Sequence, residues 1–209
     1  MSGIITQNVL GNSGLVKAVE AGGGAWTEIK TLTSDGSDAT LSFVNGASDV
    51  VLDSTYPVYC FKFIDIHPET DNVNLTFNMS IDTGSNYNVT KTTTAFFGNG
   101  AESDSGQQLA YSAGGDLAQS TAFQNLTDTV GNDADASCAG TLYLFNPSST
   151  TFIKHFLSRV NIMWSANGPI DWFTDGYANT TSAVDAVQFK MSSGEIQDGK
   201  IKLFGIKDS

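Results

Sequence analysis

From Trp26 onward the chain keeps returning to one pattern: short runs in which apolar and polar residues alternate, each closed by a cluster of Gly, Asn, Asp and Ser. A period of two puts every second side chain on one face of an extended strand, whereas a helical face needs a period of 3.6. "WTEIKTL" runs into "TSDGSD", and "ATLSFV" into "NGASD", where Asn45-Gly46 is a strong turn signal. "NVNLTFNMSI" sets Val73, Leu75, Phe77 and Met79 on one face against Asn and Thr on the other, which predicts a half-exposed strand. "YPVYCFKFIDI" is apolar on both faces, Tyr59, Phe61 and Phe63 on one side and Val58, Cys60 and Ile64 on the other. Such a strand suits the middle of a sandwich or a subunit contact.

"NVTKTTTAFF", "GTLYLF", "FIKHFLSRVNIMW", "AVDAVQFKM" and the closing "KIKLFGI" bring the candidate strands to nine or ten. Only "QQLAYSAGGDLAQ" could hold a short helix, and residues 97–139, poor in large apolar side chains, read as long surface loops. No fixed-period repeat is present. Many short strands with Gly/Asn/Asp turns predict an all-β antiparallel sandwich or jelly roll. The closing run would lie beside an early strand and complete a sheet. With 209 residues there is material for one substantial core. The body is expected over 25–209, preceded by an arm and glycine hinge over 1–24. "SGLVKAVEA" offers either two helical turns from Ser13 or an extended arm, and Gly22, Gly23 and Gly24 mark the hinge. Ile4, Ile5, Leu10, Leu15, Val16 and Val19 are the apolar residues with which an arm would attach.

Charge narrows the partners. The net charge is −12 and Arg159 is the only arginine. Binding nucleic-acid phosphates, or an anionic membrane, takes clustered Lys and Arg, which the sequence lacks. There is no apolar run of membrane-spanning length, and "MSGIITQNVL" carries no basic residue, so neither membrane insertion nor a secretory signal is expected. Cys60 and Cys138 could pair once, but a buried thiol is the favoured reading of Cys60. Asn-x-Ser/Thr triplets at Asn74, Asn78, Asn88, Asn125 and Asn179 predict no glycan in so Asn- and Thr-rich a chain.

Candidate chemistry is thin. "SIDTGSN", with Asp82, looks like the loop of an aspartic protease, but that chemistry needs a second carboxylate on a matching loop. A polar turn is the simpler reading. His67 sits in a strand-exit turn and His155 is expected to point outward. Neither has a partner at metal-ligand or triad spacing, and no G-x-S-x-G occurs. The acidic loops "SDGSDA" and "GNDADAS" depart from the calcium-loop spacing and read as solvated. No catalytic, metal or cofactor-binding residue is assigned, and no enzyme activity or cofactor is expected. "MWSANGPIDWFTDGYANTTS" stands out: Trp164, Trp172, Phe173 and Tyr177 crowd among Asp171 and Asp175. Aromatics beside carboxylates suit either a sugar or a subunit interface and core.

"GGGAWTEIKTLTSDGSDATLSF" and "TTSAVDAVQFKMSSGEIQDGKIKLFGIKDS", above all the closing Ser-Gly-x-Ile, spacer, Gly-x-Ile-x-Leu-Phe-Gly-Ile, resemble virion structural proteins of tailed bacteriophages. Marine phages in particular carry such proteins as tail-fibre or appendage components, and similar modules decorate heads. The resemblance covers about residues 22–209. It implies a non-enzymatic part of the phage particle, assembled in the bacterial cytoplasm. Its partners would be its own copies as a trimer, other capsid or tail proteins through the arm, and, as an alternative role, a host surface glycan.

Overall fold

A computed structural model of the chain describes residues 25–164 and 168–208. Over these residues it is all-β, with twelve strands in two antiparallel sheets. The strands are β1 (Trp26–Thr33), β2 (Leu41–Val44), β3 (Val58–Pro68), β4 (Leu75–Ser80), β5 (Lys91–Asn99) and β6 (Gln108–Tyr111). They continue with β7 (Gln124–Asn125), β8 (Cys138–Phe145), β9 (Lys154–Trp164), β10 (Gly168–Ala178), β11 (Ala186–Met191) and β12 (Ile196–Ile206). The larger sheet runs β1-β12-β3-β8-β9-β10-β5-β6 and the smaller β2-β11-β4-β7. The expected arm, with Ile4, Ile5, Leu10, Leu15, Val16 and Val19, and the glycine hinge lie outside the described residues.

The closing run is β12, hydrogen-bonded between β1 and β3, with Leu203 opposite both Lys30 and Phe61. Ile196, Ile201 and Leu203 are buried beneath it, while Lys200 and Lys202 alternate to the other face. One position in this strand is restricted to glycine. Gly199 has φ +115°, and a Cβ there would stand 2.6 Å from the Asp65 carbonyl oxygen, where bulges of β12 and β3 meet.

Phe189 of β11 holds the layers together. Its ring meets Phe61 and Phe63 of the larger sheet edge-on at 5.2 and 5.3 Å, and Phe77 meets Phe156 at 4.9 Å. Burying each such ring contributes about 2–3 kcal/mol, with a further fraction from the edge-to-face geometry.

Several expectations need correction. β4 is not half-exposed: Thr76, Asn78 and Ser80 are as buried as Leu75, Phe77 and Met79. Its polar face lies beneath the chain that follows, so that Asn78 Nδ2 donates to the carbonyls of Tyr87 (2.7 Å) and Thr121 (3.0 Å). The suggested helix near residue 110 is strand β6, where Leu109 and Tyr111 face solvent. Residues 97–139 are not simply surface loop. They supply β6 and β7 and bury Gln124, Leu126 and Val130 completely. A few polar anchors replace the missing apolar bulk: Gln124 Oε1 accepts from Thr93 Oγ1 (2.6 Å) and its Nε2 donates to the Gly115 carbonyl (2.6 Å). His67 belongs to β3 rather than to a turn beyond it, with Nδ1 2.6 Å from the Ala136 carbonyl oxygen. Cys60 and Cys138 are both buried and unpaired with each other.

Candidate functional site

Strict alternation along β10 decides the fate of the aromatic stretch. Ile170, Trp172 and Thr174 point inward, and Asp171, Phe173, Asp175 and Tyr177 point outward. Trp172 is therefore not available to a sugar or a partner, contrary to its candidacy. It is 3% exposed and stacks on Phe97 at 5.7 Å. Its Nε1 donates to Thr174 Oγ1 (2.9 Å), which donates on to the Asn125 carbonyl (3.1 Å). Trp164 is half-buried at the end of β9 and packs against the core, opposite Val130.

The four outward residues face solvent on the larger sheet, beside neighbours that the sequence did not single out. Phe173 pairs with Phe96 of β5 on one side and Arg159 of β9 on the other. The two phenyl rings are parallel at 4.6 Å, and the Arg159 guanidinium covers the opposite face of Phe173 at 5.1 Å. Arg159 also grips Asp171 in a bidentate pair, Nη2 to Oδ2 at 2.6 Å and Nε to Oδ1 at 3.0 Å. The guanidinium so held has its pKa raised by the Asp171 hydrogen bond and charge. Asp175 lies one row along, opposite Leu157, and burial pushes its carboxyl above the usual range. Tyr177 stands across from His155, which points outward as expected, the rings 6.2 Å apart edge to face. Shallow grooves flank this ridge. One of about 510 Å³ runs past Asn99, Leu109, Asn161 and Asp171, and another of about 300 Å³ past Thr94, Leu157, Asp175 and Tyr177.

A second aromatic cluster occupies the same face at the β1 end. Trp26 meets Phe204 at 5.8 Å and Tyr143 at 6.2 Å, and Lys62 Nζ lies 4.7 Å over the Trp26 ring. Cys60 is buried beneath it, its thiol raised to about 11 by loss of solvent. The Phe96 and Phe173 rings stack face to face, whereas Trp26 meets Phe204 and Tyr143 edge to face. Stacking leaves Phe173 little open ring face for a sugar, because Phe96 and the Arg159 guanidinium both lie against it.

The other candidates resolve into local structure. Asp82 caps a turn: Oδ1 accepts from Ser80 Oγ (2.7 Å) and Asn86 N (2.9 Å), and Oδ2 from Asn86 Nδ2 (2.7 Å). Those bonds hold its carboxyl below the usual range. In the "SDGSDA" loop, Asp35 Oδ1 takes Ser37 N and Oγ, and Asp38 Oδ2 takes Asp35 N. Comparison with protein-family models, curated proteins and solved structures finds no match for this chain.

Proposed function

We propose that the chain is a non-enzymatic structural component of a tailed-phage virion, a trimeric tail-fibre or appendage module attached through residues 1–24. The carrying observation is the outer face of the larger sheet. Of the seven large apolar residues exposed among those described, Trp26, Phe96, Leu109, Tyr111 and Leu157 lie on it, leaving Ile81 and Phe152 elsewhere. Large apolar residues gathered on one exposed face point to an association site.

A jelly-roll reading of the body is supported by strand order. Set aside β5, β6, β9 and β10, and the remaining eight strands fall into four-stranded sheets β1-β12-β3-β8 and β2-β11-β4-β7. That order is consistent with the two-Greek-key jelly roll used by many capsid and lectin domains. The four added strands extend one sheet of that core and carry Phe96, Arg159, Asp171 and Phe173. The sequence likeness to phage virion proteins supplies the particle context.

Two measurements test the reading. Mass spectrometry of density-purified particles should find the chain in them. Its absence would refute the virion role. Deleting residues 1–21 should leave the thermal unfolding of the body unchanged and abolish incorporation, so normal incorporation of the shortened chain would refute the anchoring role alone.

A further inference from the structure

We propose that the outer face of the eight-stranded sheet is the surface on which a second copy of this chain docks, with Leu157 near its centre. The inference rests on the assembly reading above and names its partner. Leu157 is 47% exposed and pairs with Tyr143 on one side and Asp175 on the other, so it sits between the Phe96–Phe173–Arg159 ridge and the Trp26–Phe204–Lys62 cluster.

Charge selects the occupant. Two copies carrying −12 each repel across most orientations. This face carries both signs: Lys62 and Lys202 stand opposite each other near Lys200, Lys202 pairs with Glu28 and Arg159 with Asp171, and Asp175 lies on the same strand as Asp171, with Asp65 and Asp198 at the bulged margin. A near-balanced, mixed-sign face is one on which an acidic chain can meet itself without net repulsion. Size agrees as well. Eight strands at about 4.8 Å spacing and roughly 25 Å along the strands give about 950 Å², against the ~800 Å² per partner of a stable interface. The rings and cations are also held in advance by stacking and cation–π contact, so docking costs little side-chain freedom.

The test is sedimentation equilibrium of the full chain at micromolar concentration, wild type beside Phe96→Glu, Leu157→Glu and a control, Ile81→Glu. Ile81 is 43% exposed but off this face. Wild type and the control should be oligomeric. The two face variants should weaken association by about 30-fold or more, as buried hot spots do, with circular dichroism and melting of the wild-type kind. A monomeric wild type, an oligomer indifferent to both face variants, or equal loss in the control would overturn the proposal. So would a full chain that is monomeric and associates only after residues 1–21 are removed, because the occupant would then be the chain's own arm. Particle incorporation is read separately, so a monomer still found in virions defeats this proposal and spares the virion reading.

Discussion

Trp172→Ala should lower unfolding free energy by about 3–5 kcal/mol, the range for deleting a fully enclosed large aromatic. In a chain of this size that is a fall of about 7–11 °C in melting temperature. The ring is enclosed on every side that matters. Phe97 stacks on one face, and the 112–126 segment closes so near that a Cβ on Gly115 would stand 2.6 Å from Trp172 Cζ2. That approach limits collapse of the cavity left by alanine. The polar partner is not orphaned, because Thr174 Oγ1 keeps its bond to the Asn125 carbonyl. The loss is thus one of packing. Phe173→Ala, one residue along and facing outward, should change stability of the isolated chain far less. Denaturant unfolding of the two variants side by side decides the matter. A Trp172→Ala protein as stable as wild type would put the indole at the surface and return it to the candidate contacts.

How far the sequence carries can be judged from these neighbouring residues. Period-two alternation identified β12 because its inward residues are plainly apolar, as with Ile201 and Leu203, and β3 showed as an apolar run through Phe61 and Phe63. It also predicted that a two-faced β3 belongs to a sheet interior or contact, and Cys60 does lie buried beneath the outer aromatic cluster. β10 was hidden because aromatics stand on both of its faces, Trp172 inward and Phe173 and Tyr177 outward among Asp171 and Asp175, so "DWFTDGY" reads as a cluster when it is two faces of one strand. β4 misled for the converse reason. Asn78 looks like a solvent residue, and only long-range partners explain its burial: its Oδ1 accepts from Lys91 Nζ (2.6 Å) and its Nδ2 reaches two carbonyls. The outer ridge needed cross-strand register. Phe96 is more than sixty residues from Arg159 and Phe173, which face each other across the β9-β10 pair, and the three become neighbours only through β9-β10-β5 pairing. Arg159 did carry a signal as the only arginine in the chain, but nothing local tied it to Asp171.

Lys91 should give the chain a stability that rises with pH between about 7 and 9. Its side chain is fully buried, donates to Asn78 Oδ1 (2.6 Å) and the Val89 carbonyl (2.8 Å), and burial lowers its pKa from 10.5 to about 7. The unfolded chain keeps that lysine protonated up to about 10.5. Between the two values the unfolded state therefore binds more protons than the folded state, and unfolding free energy climbs by up to about 1.4 kcal/mol per pH unit. From pH 7 to 9 the gain is about 2 kcal/mol. Lys154, fully buried among the carbonyls of Ser149, Phe152 and Thr180, also has its pKa lowered by burial and acts with the same sign. Above about pH 9 the sign reverses. Burial raises Cys60 to about 11 and Cys138 to about 12, so unfolded thiols ionise while the folded ones stay protonated. Tyr59, raised to about 12, adds to the decline above 10. Urea unfolding across this span should show a maximum near pH 9, and Lys91→Met should flatten the rising limb and steepen the fall up to about pH 10.5, where the lost lysine no longer offsets the thiols. A wild-type profile that is level or descending between pH 7 and 9 would mean that the two oxygen acceptors keep the ammonium charged inside the fold. In that case Lys91 would act as a cationic tie between β4 and β5 rather than as a neutral amine.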